Sequence, residues 1–386
     1  MMRYNFTRSA LTAMAILLAV PSFAKDGSAP FGLPQIASAM LKQDLIRGAY
    51  ELVDLPANGT LAVGSTPSFA KGTPGYLDFL DRNDLRAIRR IELPRQAFAL
   101  GVDRERGRVY VGNTLDGSLS VVDAASGLLL ETIQLGKAEG EGFEHVRMIE
   151  VDEASGRVFV SSPSETGTLW IVTPAQDNKV QRIDNAGLWA AGLAFDPATN
   201  RVFLSGGGID EIGVFDAASG EKVSAFSTGD STEPGKEGSR HFFINLALDA
   251  SRSRLLATDG NTGALYVFDT QSGKVVKTVP IGTGALDVIR VPEAGLVFVT
   301  YRGASHDKPE GTGGLVVLDD EDYSLMASLP LAAHPNSLAL AADGQTLFLT
   351  VKAPLEKEHP LYREGGLDSV LRFDLAKLGK VLREQP

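Results

Sequence analysis

The chain of 386 residues contains no cysteine, only five histidines and only two tryptophans. The absence of cysteine excludes disulfides, a c-type haem attachment site and thiolate-bound metal. After residue 24, no apolar run approaches the roughly 20 residues that a membrane-spanning helix needs. The G-x-S-x-G and H-E-x-x-H motifs of common hydrolases are absent as well. We therefore expect no transmembrane segment, no cofactor and no standard catalytic motif.

Basic residues are fewer than acidic ones. The chain has 37 Lys and Arg against 48 Asp and Glu, a formal net charge of −11 at pH 7. A protein of this charge is a poor general binder of polyanions, although the charge of one face can differ from the total.

One sequence unit recurs seven times along the chain. Three copies read VDRERGRVYVGN from Val102, VDEASGRVFVSS from Val151 and FDPATNRVFLSG from Phe195. The other copies begin at Val53, Leu248, Val291 and Leu340, and neighbouring copies are 43 to 53 residues apart. A period of about 48 residues is typical of repeat arrays.

Four short β-rich runs fill each unit. In the second copy they are FALGV, RVYVG, SLSVV and LLETIQL, and turn residues separate them. Four antiparallel strands at this period predict an all-β fold, a seven-bladed β-propeller with four strands per blade. A β-solenoid is the alternative, but its coils are usually shorter and lack the four-strand rhythm.

The beginning of the chain has the three parts of an export signal. Arg3 and Arg8 form a basic start, residues 10–20 an apolar run, and Ser22-Phe23-Ala24 a small-x-small cleavage site. We expect cleavage after Ala24 and a soluble periplasmic protein; a buried N-terminal helix is the alternative. The predicted organisation is a signal peptide over 1–24, an N-terminal segment over 25–46 and a propeller domain over 47–386.

The last unit has a weak fourth strand, because LAKLGKVLREQP is short and polar. We therefore predict that residues 39–46 pair beside residues 367–373 and close the ring. An aspartate ends the third strand of every unit except the third, and we expect it to accept hydrogen bonds from the following turn. These aspartates are Asp81, Asp123, Asp216, Asp269, Asp319 and Asp374.

Several stretches resemble known propeller repeats. RVYVGNTLDGSLSVVDAASG and GALYVFDTQSGKVVKTVPIG look like YVTN-type repeats. HFFINLALD, HPNSLALAADGQTLFLTVK and MLKQDLIRGAYELVDL resemble segments of YncE-like proteins, and the resemblance covers residues 39–375. It implies a periplasmic, non-enzymatic, seven-bladed propeller for which binding of single-stranded DNA has been proposed. The four long loops depart from the pattern, and the repeats are more distantly similar to surface-layer proteins and the haem d1 propeller of nitrite reductase.

The long insertions all fall at one end of the predicted blades, which we call the top face. Three are turns between the second and third strands, and one links two blades; they are residues 64–75, 302–314, 352–366 and 229–240. Long loops gathered on one end of a rigid scaffold are typical of a functional face. Insertion tolerated at random is the alternative.

Polar, basic and aromatic residues are predicted at the mouth of the central channel on this face, a composition typical of binding sites. The candidate ligand-binding residues are Arg47, Tyr50, Arg95, His145, Arg147, Trp189, His241, Asn245, Asp287, His334 and Asn336. A structural role, such as bonding a neighbouring backbone or channel water, is the alternative for each. His145, His241 and His334 fall on three separate blades, too far apart for zinc, whose nitrogen ligands lie about 2.0–2.1 Å from the metal.

These observations favour a monomeric, non-catalytic binding protein. The long loops hold equal numbers of basic and acidic residues within an acidic chain, so the top face tolerates an anionic ligand. Arginine beside Tyr and Trp is also the pairing that stacks on single-stranded bases, which makes single-stranded DNA a candidate ligand. The alternative is a hydrolase or lactonase-type enzyme with Asp287 or His241 as its base.

Overall fold

The computed structural model describes residues 36–383 except 137, 140–141, 231–238, 304–309 and 332–333. Within this part of the chain the strands form seven four-stranded antiparallel sheets and one two-stranded ribbon. Each four-stranded sheet is a blade, so the predicted seven-bladed β-propeller is confirmed. No helix in the described ranges is both long enough and apolar enough to cross a membrane.

Strand β1 (Met40–Ile46) precedes the first complete blade. Blade 1 contains β2 (Ala49–Leu55), β3 (Thr60–Ser65), β4 (Gly75–Asp81) and β5 (Ala87–Leu93). Blade 2 contains β6 (Ala97–Asp103), β7 (Arg108–Asn113), β8 (Ser118–Asp123) and β9 (Leu129–Gln134). A ribbon of β10 (Ala138–Glu139) and β11 (Gly142–Phe143) follows. Blade 3 contains β12 (Met148–Asp152), β13 (Arg157–Ser162), β14 (Thr168–Thr173) and β15 (Lys179–Asp184).

Blade 4 contains β16 (Leu193–Asp196), β17 (Arg201–Leu204), β18 (Glu211–Asp216) and β19 (Lys222–Ser227). Blade 5 contains β20 (Phe243–Asp249), β21 (Arg254–Asp259), β22 (Ala264–Asp269) and β23 (Val275–Pro280). Blade 6 contains β24 (Ala285–Val291), β25 (Leu296–Tyr301), β26 (Gly314–Asp319) and β27 (Leu325–Pro330). Blade 7 contains β28 (Pro335–Leu340), β29 (Thr346–Val351), β30 (Asp368–Asp374) and β1, and helix α1 (Leu375–Arg383) follows. Short 3₁₀ turns span Ala37–Ala39, Pro56–Asn58, Pro174–Gln176, Ala250–Arg252 and Pro292–Ala294.

Apolar side chains on both faces of each blade explain the ring. The buried residues form seven clusters, and each cluster lies between two neighbouring blades. Trp170, for example, packs between blades 2 and 3, and Phe243 between blades 4 and 5. The innermost strand of every blade packs against that of the next, and β28 packs against β2. The ring is therefore closed around a central channel.

The N-terminal strand closes the ring. Strand β1 pairs antiparallel with β30, with Met40 opposite Phe373 and Ile46 opposite Asp368. This is the pairing expected for residues 39–46 beside residues 367–373. A domain boundary at residue 47 therefore separates a strand from its own blade, because residues 40–46 supply the outer strand that the C-terminal sequence does not.

The C-terminal segment is a helix, where the sequence suggested only a weak strand. Asp374 Oδ1 accepts a hydrogen bond from the Lys377 N–H at 3.0 Å and caps the first turn. Leu375, Leu378 and Leu382 lie on one face at helical spacing and are buried in the cluster of blades 6 and 7. The periodicity of these leucines outweighs the polar composition of the segment.

The aspartates that end the third strands act as expected. Asp123 Oδ1 accepts the Ser126 N–H at 2.8 Å, and Asp216 Oδ1 accepts the Ser219 N–H at 2.8 Å. Both backbone donors belong to the tight turn after the strand, so the carboxylate accepts hydrogen bonds from N–H groups that strand pairing leaves without a partner.

Candidate functional site

The long turns of blades 1, 6 and 7 surround a pocket of about 500 Å³ on the top face, which we call the upper pocket. The three turns converge because these blades are neighbours in the closed ring. Four of the candidate residues line it, namely Arg47, Tyr50, His334 and Asn336. The turns add further side chains to the lining, including Phe69, Arg302, Lys352, Tyr362, Arg363 and Asp368.

The upper pocket is basic although the chain is acidic. Among the described residues its lining contains Arg47, Arg302, Lys352 and Arg363 and a single carboxylate, that of Asp368. Backbone carbonyls hold two of these cations: Arg47 Nη2 donates to the Gly365 carbonyl at 3.0 Å, and Arg363 Nη1 donates to the Tyr362 carbonyl at 2.6 Å. No carboxylate neutralises these two guanidinium groups within the lining.

Arg302 is the least constrained of the four cations. Its side chain is exposed to the pocket and makes no hydrogen bond or ion pair with any residue in the described ranges. The protein around it displaces water, and the nearby positive charge of Arg147 adds repulsion, so the pKa of Arg302 is lowered. A cation in this setting lacks the negative partner that would stabilise its charge.

Lys352 lies over an aromatic ring at the pocket floor. Its Nζ is 3.3 Å from the Tyr50 ring centroid and 3.4 Å from Asp368 Oδ2. Burial lowers the pKa of Lys352 to about 8, although Asp368 acts against this change. Burial also raises the pKa of Tyr50 to about 12, and Asp368 adds to this change. Asp368 is fixed by the N–H groups of Ala49 and Ala353, each at 2.7 Å.

His334 lies in the backbone link between two of the pocket turns. Its N–H donates to the Arg302 carbonyl at 3.3 Å, and its carbonyl accepts the Lys352 N–H at 3.1 Å. Burial lowers the pKa of His334, and the positive charges of Arg302 and Lys352 lower it further. The imidazole is therefore neutral near pH 7 and presents one donor and one acceptor.

A second pocket of about 420 Å³ lies beside the first. Arg147, Trp189, Phe242 and Asn261 line it, together with Arg302, which also lines the upper pocket. The Trp189 side chain is 40% exposed, and its backbone has φ +49°, a conformation that bulky residues rarely adopt. A hydrogen bond from the Trp189 N–H to the Ser164 carbonyl at 2.8 Å holds this conformation.

Below the two pockets, a polar network crosses the central channel. Arg147 Nη1 lies 3.2 Å from Glu51 Oε1, and Glu51 Oε2 accepts the Leu100 N–H at 2.9 Å. On the opposite side, Asn245 Nδ2 donates to Asp287 Oδ1 at 2.7 Å. Burial raises the pKa of Glu51 to about 7, although Arg147 opposes the change. Burial raises the pKa of Asp287 as well.

Asn245 and Asp287 thus line the channel rather than either pocket. Their part of the channel has a volume of about 490 Å³, and all seven innermost strands contribute to its wall. Asp287 Oδ2 also accepts the Leu338 N–H at 2.7 Å, which ties blade 6 to blade 7.

His241 does not face the channel mouth, where the sequence placed it. It is fully buried, with Nδ1 2.7 Å from Asp259 Oδ2 and Nε2 2.7 Å from Asp230 Oδ2. Its ring stacks on Phe243 with a centroid distance of 5.2 Å. Bonds to the two carboxylates raise the pKa of His241 despite its burial. The residue is held between these carboxylates because Asp259 ends the neighbouring strand of the same hairpin.

Arg95 and His145 line none of the three pockets. Arg95 forms an ion pair with Asp116, with Nη1 2.9 Å from Oδ1. His145 Nδ1 lies 2.8 Å from the Thr114 hydroxyl, and burial lowers its pKa to about 4. Both side chains are occupied by contacts with blade 2.

Known proteins with similar sequences align with most of the chain. YncE of Salmonella typhi is 26% identical over 344 residues, which is 88% of this chain and 92% of that protein. YncE of Escherichia coli strain K12 is 27% identical over 347 residues, with the same coverage of both chains. No family model matches the sequence.

The chain is a YncE-like propeller. Solved structures share its fold at much lower sequence identity. The WD40 repeats of RRP9 match this YncE-like propeller with a TM-score of 0.64 at 11% identity, over 90% of this chain and 99% of that one. U3-55K matches with the same TM-score and identity, over 88% and 99%. These two likenesses concern the fold alone.

The sequence predicted that the long turns of this YncE-like propeller lie together at one end of the blades, and three of them surround the upper pocket, but it did not select the residues that meet there. Phe69, Lys352 and Asp368 belong to turns of different blades or to the strand that follows one. Their convergence depends on the paths of the long turns, which the pattern of strands does not determine. The available signal was the concentration of Lys and Arg at the starts of two long turns, Arg302 and Lys352.

Proposed function

We propose that this YncE-like propeller is a non-catalytic binding protein of the periplasm whose upper pocket holds an anionic ligand, with single-stranded DNA as the ligand. The observation that carries the proposal is the charge of the lining as far as the structure describes it: four Arg or Lys side chains and one carboxylate in a chain of net charge −11. An anion in this pocket supplies the negative partner that Arg302 lacks among the described residues.

The lowered pKa values of Arg302 and Lys352 support an anion. Each shift means that the surrounding protein disfavours the charged form of the side chain. A phosphate or carboxylate nearby favours the charged form, so its binding would stabilise the positive charge of both side chains.

Single-stranded DNA fits the other part of the lining. Tyr50, Phe69 and Tyr362 stand among the cations of the upper pocket. Aromatic rings that accept bases, beside Arg and Lys that contact phosphates, are the usual composition of a single-strand site. Single-stranded DNA is also the ligand that the resemblance to YncE-like proteins implies.

Fluorescence anisotropy with a labelled oligothymidylate at low salt tests the proposal. We expect Arg302→Ala to weaken binding about tenfold or more, since a hydrogen bond to a charged group contributes roughly 1.5–3 kcal/mol. Arg95→Ala is the matched control, because Arg95 is already paired with Asp116 and lines none of the three pockets described above. Affinity should also fall with added salt as phosphate contacts release counterions. Absence of wild-type binding, or equal affinity in Arg302→Ala, contradicts the proposal.

The periplasmic part of the proposal rests on the export signal over residues 1–24, which lie outside the described residues. Mass spectrometry of a periplasmic extract should show a chain that begins at Lys25. A periplasmic chain that still carries Met1 contradicts processing at this site.

No observation supports the hydrolase alternative with Asp287 or His241 as its catalytic base. Asp287 accepts hydrogen bonds from Asn245 and Leu338, and it lines the channel rather than the upper pocket. His241 is buried between two carboxylates. Neither side chain is placed to activate a nucleophile in the upper pocket.

A further inference from the structure

The upper pocket and the second pocket meet at one side chain. Arg302 lines both, and the two volumes are about 500 Å³ and about 420 Å³. Each volume lies within the range of roughly 300–1,000 Å³ that small-molecule pockets occupy. Each pocket is thus large enough for a ligand group of its own.

A continuous row of side chains joins the floors of the two pockets. Lys352 Nζ lies 3.3 Å from the Tyr50 ring centroid, and the Tyr50 and Phe98 centroids are 4.3 Å apart. Arg147 Cζ is 5.3 Å from the Phe98 centroid. Lys352 and Tyr50 line the upper pocket and Arg147 lines the second. Cations and aromatic rings therefore lie in one row from pocket to pocket.

Each pocket presents one exposed aromatic side chain. Phe69 is 45% exposed in the upper pocket, and Trp189 is 40% exposed in the second. Large flat rings left in water provide surfaces on which other flat groups stack. Trp189 is also held in the positive-φ conformation described above, and such conformations concentrate at functional sites.

Two like charges lie where the pockets meet. Arg147 and Arg302 both line the second pocket, and the positive charge of Arg147 acts on Arg302. Arg147 already has Glu51 as a partner below, whereas Arg302 has none among the described residues. An anionic group between the pockets would reduce the repulsion between the two guanidinium groups.

We infer that the two pockets form one two-part site, which holds two flat groups joined by an anionic linker that contacts Arg302. Two adjacent nucleotides joined by a phosphodiester have this chemistry. The inference rests on the proposed function, because it assigns nucleotide units to the pocket that the proposal fills, and it adds Trp189 and the second pocket to that site.

Isothermal titration calorimetry with thymidine 5′-monophosphate and the dinucleotide pTpT separates one pocket from two. In the wild-type protein we expect pTpT to bind at least about tenfold more tightly, since stacking of one further base gives roughly 1–3 kcal/mol and about 1.4 kcal/mol is a factor of ten. In Trp189→Ala and in Phe69→Ala the ratio of the two affinities should fall to within about threefold. Arg95→Ala should keep the wild-type ratio, and circular dichroism should show that all variants are folded.

The outcomes are distinguishable. Mononucleotide binding without a gain for pTpT overturns the two-part site and leaves the proposed function standing. A ratio that falls in Phe69→Ala but not in Trp189→Ala also overturns it, because the second pocket then takes no part. If neither nucleotide binds the wild-type protein, both the two-part site and single-stranded DNA as ligand are wrong.

Discussion

Glu51 of blade 1 and Arg147, next to the innermost strand of blade 3, form an ion pair at 3.2 Å that bridges two non-adjacent blades across the channel. Both side chains are largely buried, so the pair lies in surroundings where ionisation of the carboxyl group is costly. The pair separates the basic pockets above from the channel below.

The first prediction concerns the ionisation of Glu51. Its pKa in the folded protein is about 7, above its ordinary value of 4.5. The folded state therefore holds this proton more tightly than the unfolded chain, and the resulting stabilisation, complete below pH 4.5, is lost as the pH rises through 7. Glu51→Gln should match the wild type near pH 4 and have the higher free energy of unfolding at pH 8, by up to about 3 kcal/mol. Urea denaturation across this pH range measures the difference. Parallel curves for the two proteins would show that Glu51 is not responsible.

The second prediction concerns the reactivity of Lys352. Because its pKa is lowered to about 8, its amine should react with acetic anhydride along a pH curve whose midpoint lies near 8. The exposed Lys377 provides the comparison within the same protein. Peptide mass spectrometry measures both rates at each pH, and the midpoint does not depend on accessibility. Asp368→Asn should move the Lys352 midpoint to lower pH, since Asp368 favours the charged amine. Coincident midpoints for the two lysines would refute the prediction.

The third prediction compares the two carboxylates that hold His241. Asp259 is fully buried, whereas the Asp230 side chain is 39% exposed. Asp259→Asn should lower the free energy of unfolding by roughly 3–5 kcal/mol, because it breaks a buried pair. Asp230→Asn should lower it by less than about 1 kcal/mol, because water replaces the lost contact. Thermal and urea denaturation of both variants test this order, and a larger loss in Asp230→Asn would contradict it.

The fourth prediction concerns ring closure. Ile46 is fully buried in the cluster between blades 7 and 1, where it accompanies Phe348 and Val370. Ile46→Ala should cost about 2–5 kcal/mol of stability, the usual range for a buried Ile truncated to Ala. Lys42→Ala on the exposed side of the same strand should change stability by no more than about 0.5 kcal/mol. Equal effects of the two substitutions in urea denaturation would mean that the strand contributes little to the ring.

The sequence predicts the architecture well because the period repeats seven times. A single copy such as VDRERGRVYVGN is ambiguous, but seven copies fix the blade count and the strand order. Ring closure by residues 39–46 can also be predicted from the sequence, because the weak fourth strand of the last unit leaves room for a strand from elsewhere in the chain. Helix α1 is missed because its signal consists of three leucines at helical spacing in a short polar segment.

The candidate site is harder to predict from the sequence than the fold. Arg47, Tyr50, His334 and Asn336 come together in the upper pocket, but their partners Lys352 and Phe69 come from turns whose paths the strand pattern does not determine. His241 shows the opposite difficulty. A histidine at the start of an inner strand suggests a position at the channel mouth. The His241 ring is instead buried, because it forms a hydrogen bond with Asp259 on the neighbouring strand.

The pairing of β1 with β30 also constrains the order in which the molecule can be completed. The first described strand to leave the ribosome has its partner in the last one, so six blades can form while β1 still lacks a neighbour. Until β1 pairs with Asp368–Asp374, the incomplete seventh blade and the free N-terminal strand both present open backbone edges, which are templates for pairing with other chains. Contacts this distant along the chain also form slowly. We therefore expect the meeting of the two ends to be a late event of folding, and the form in which the two ends are still apart to be the one most exposed to aggregation.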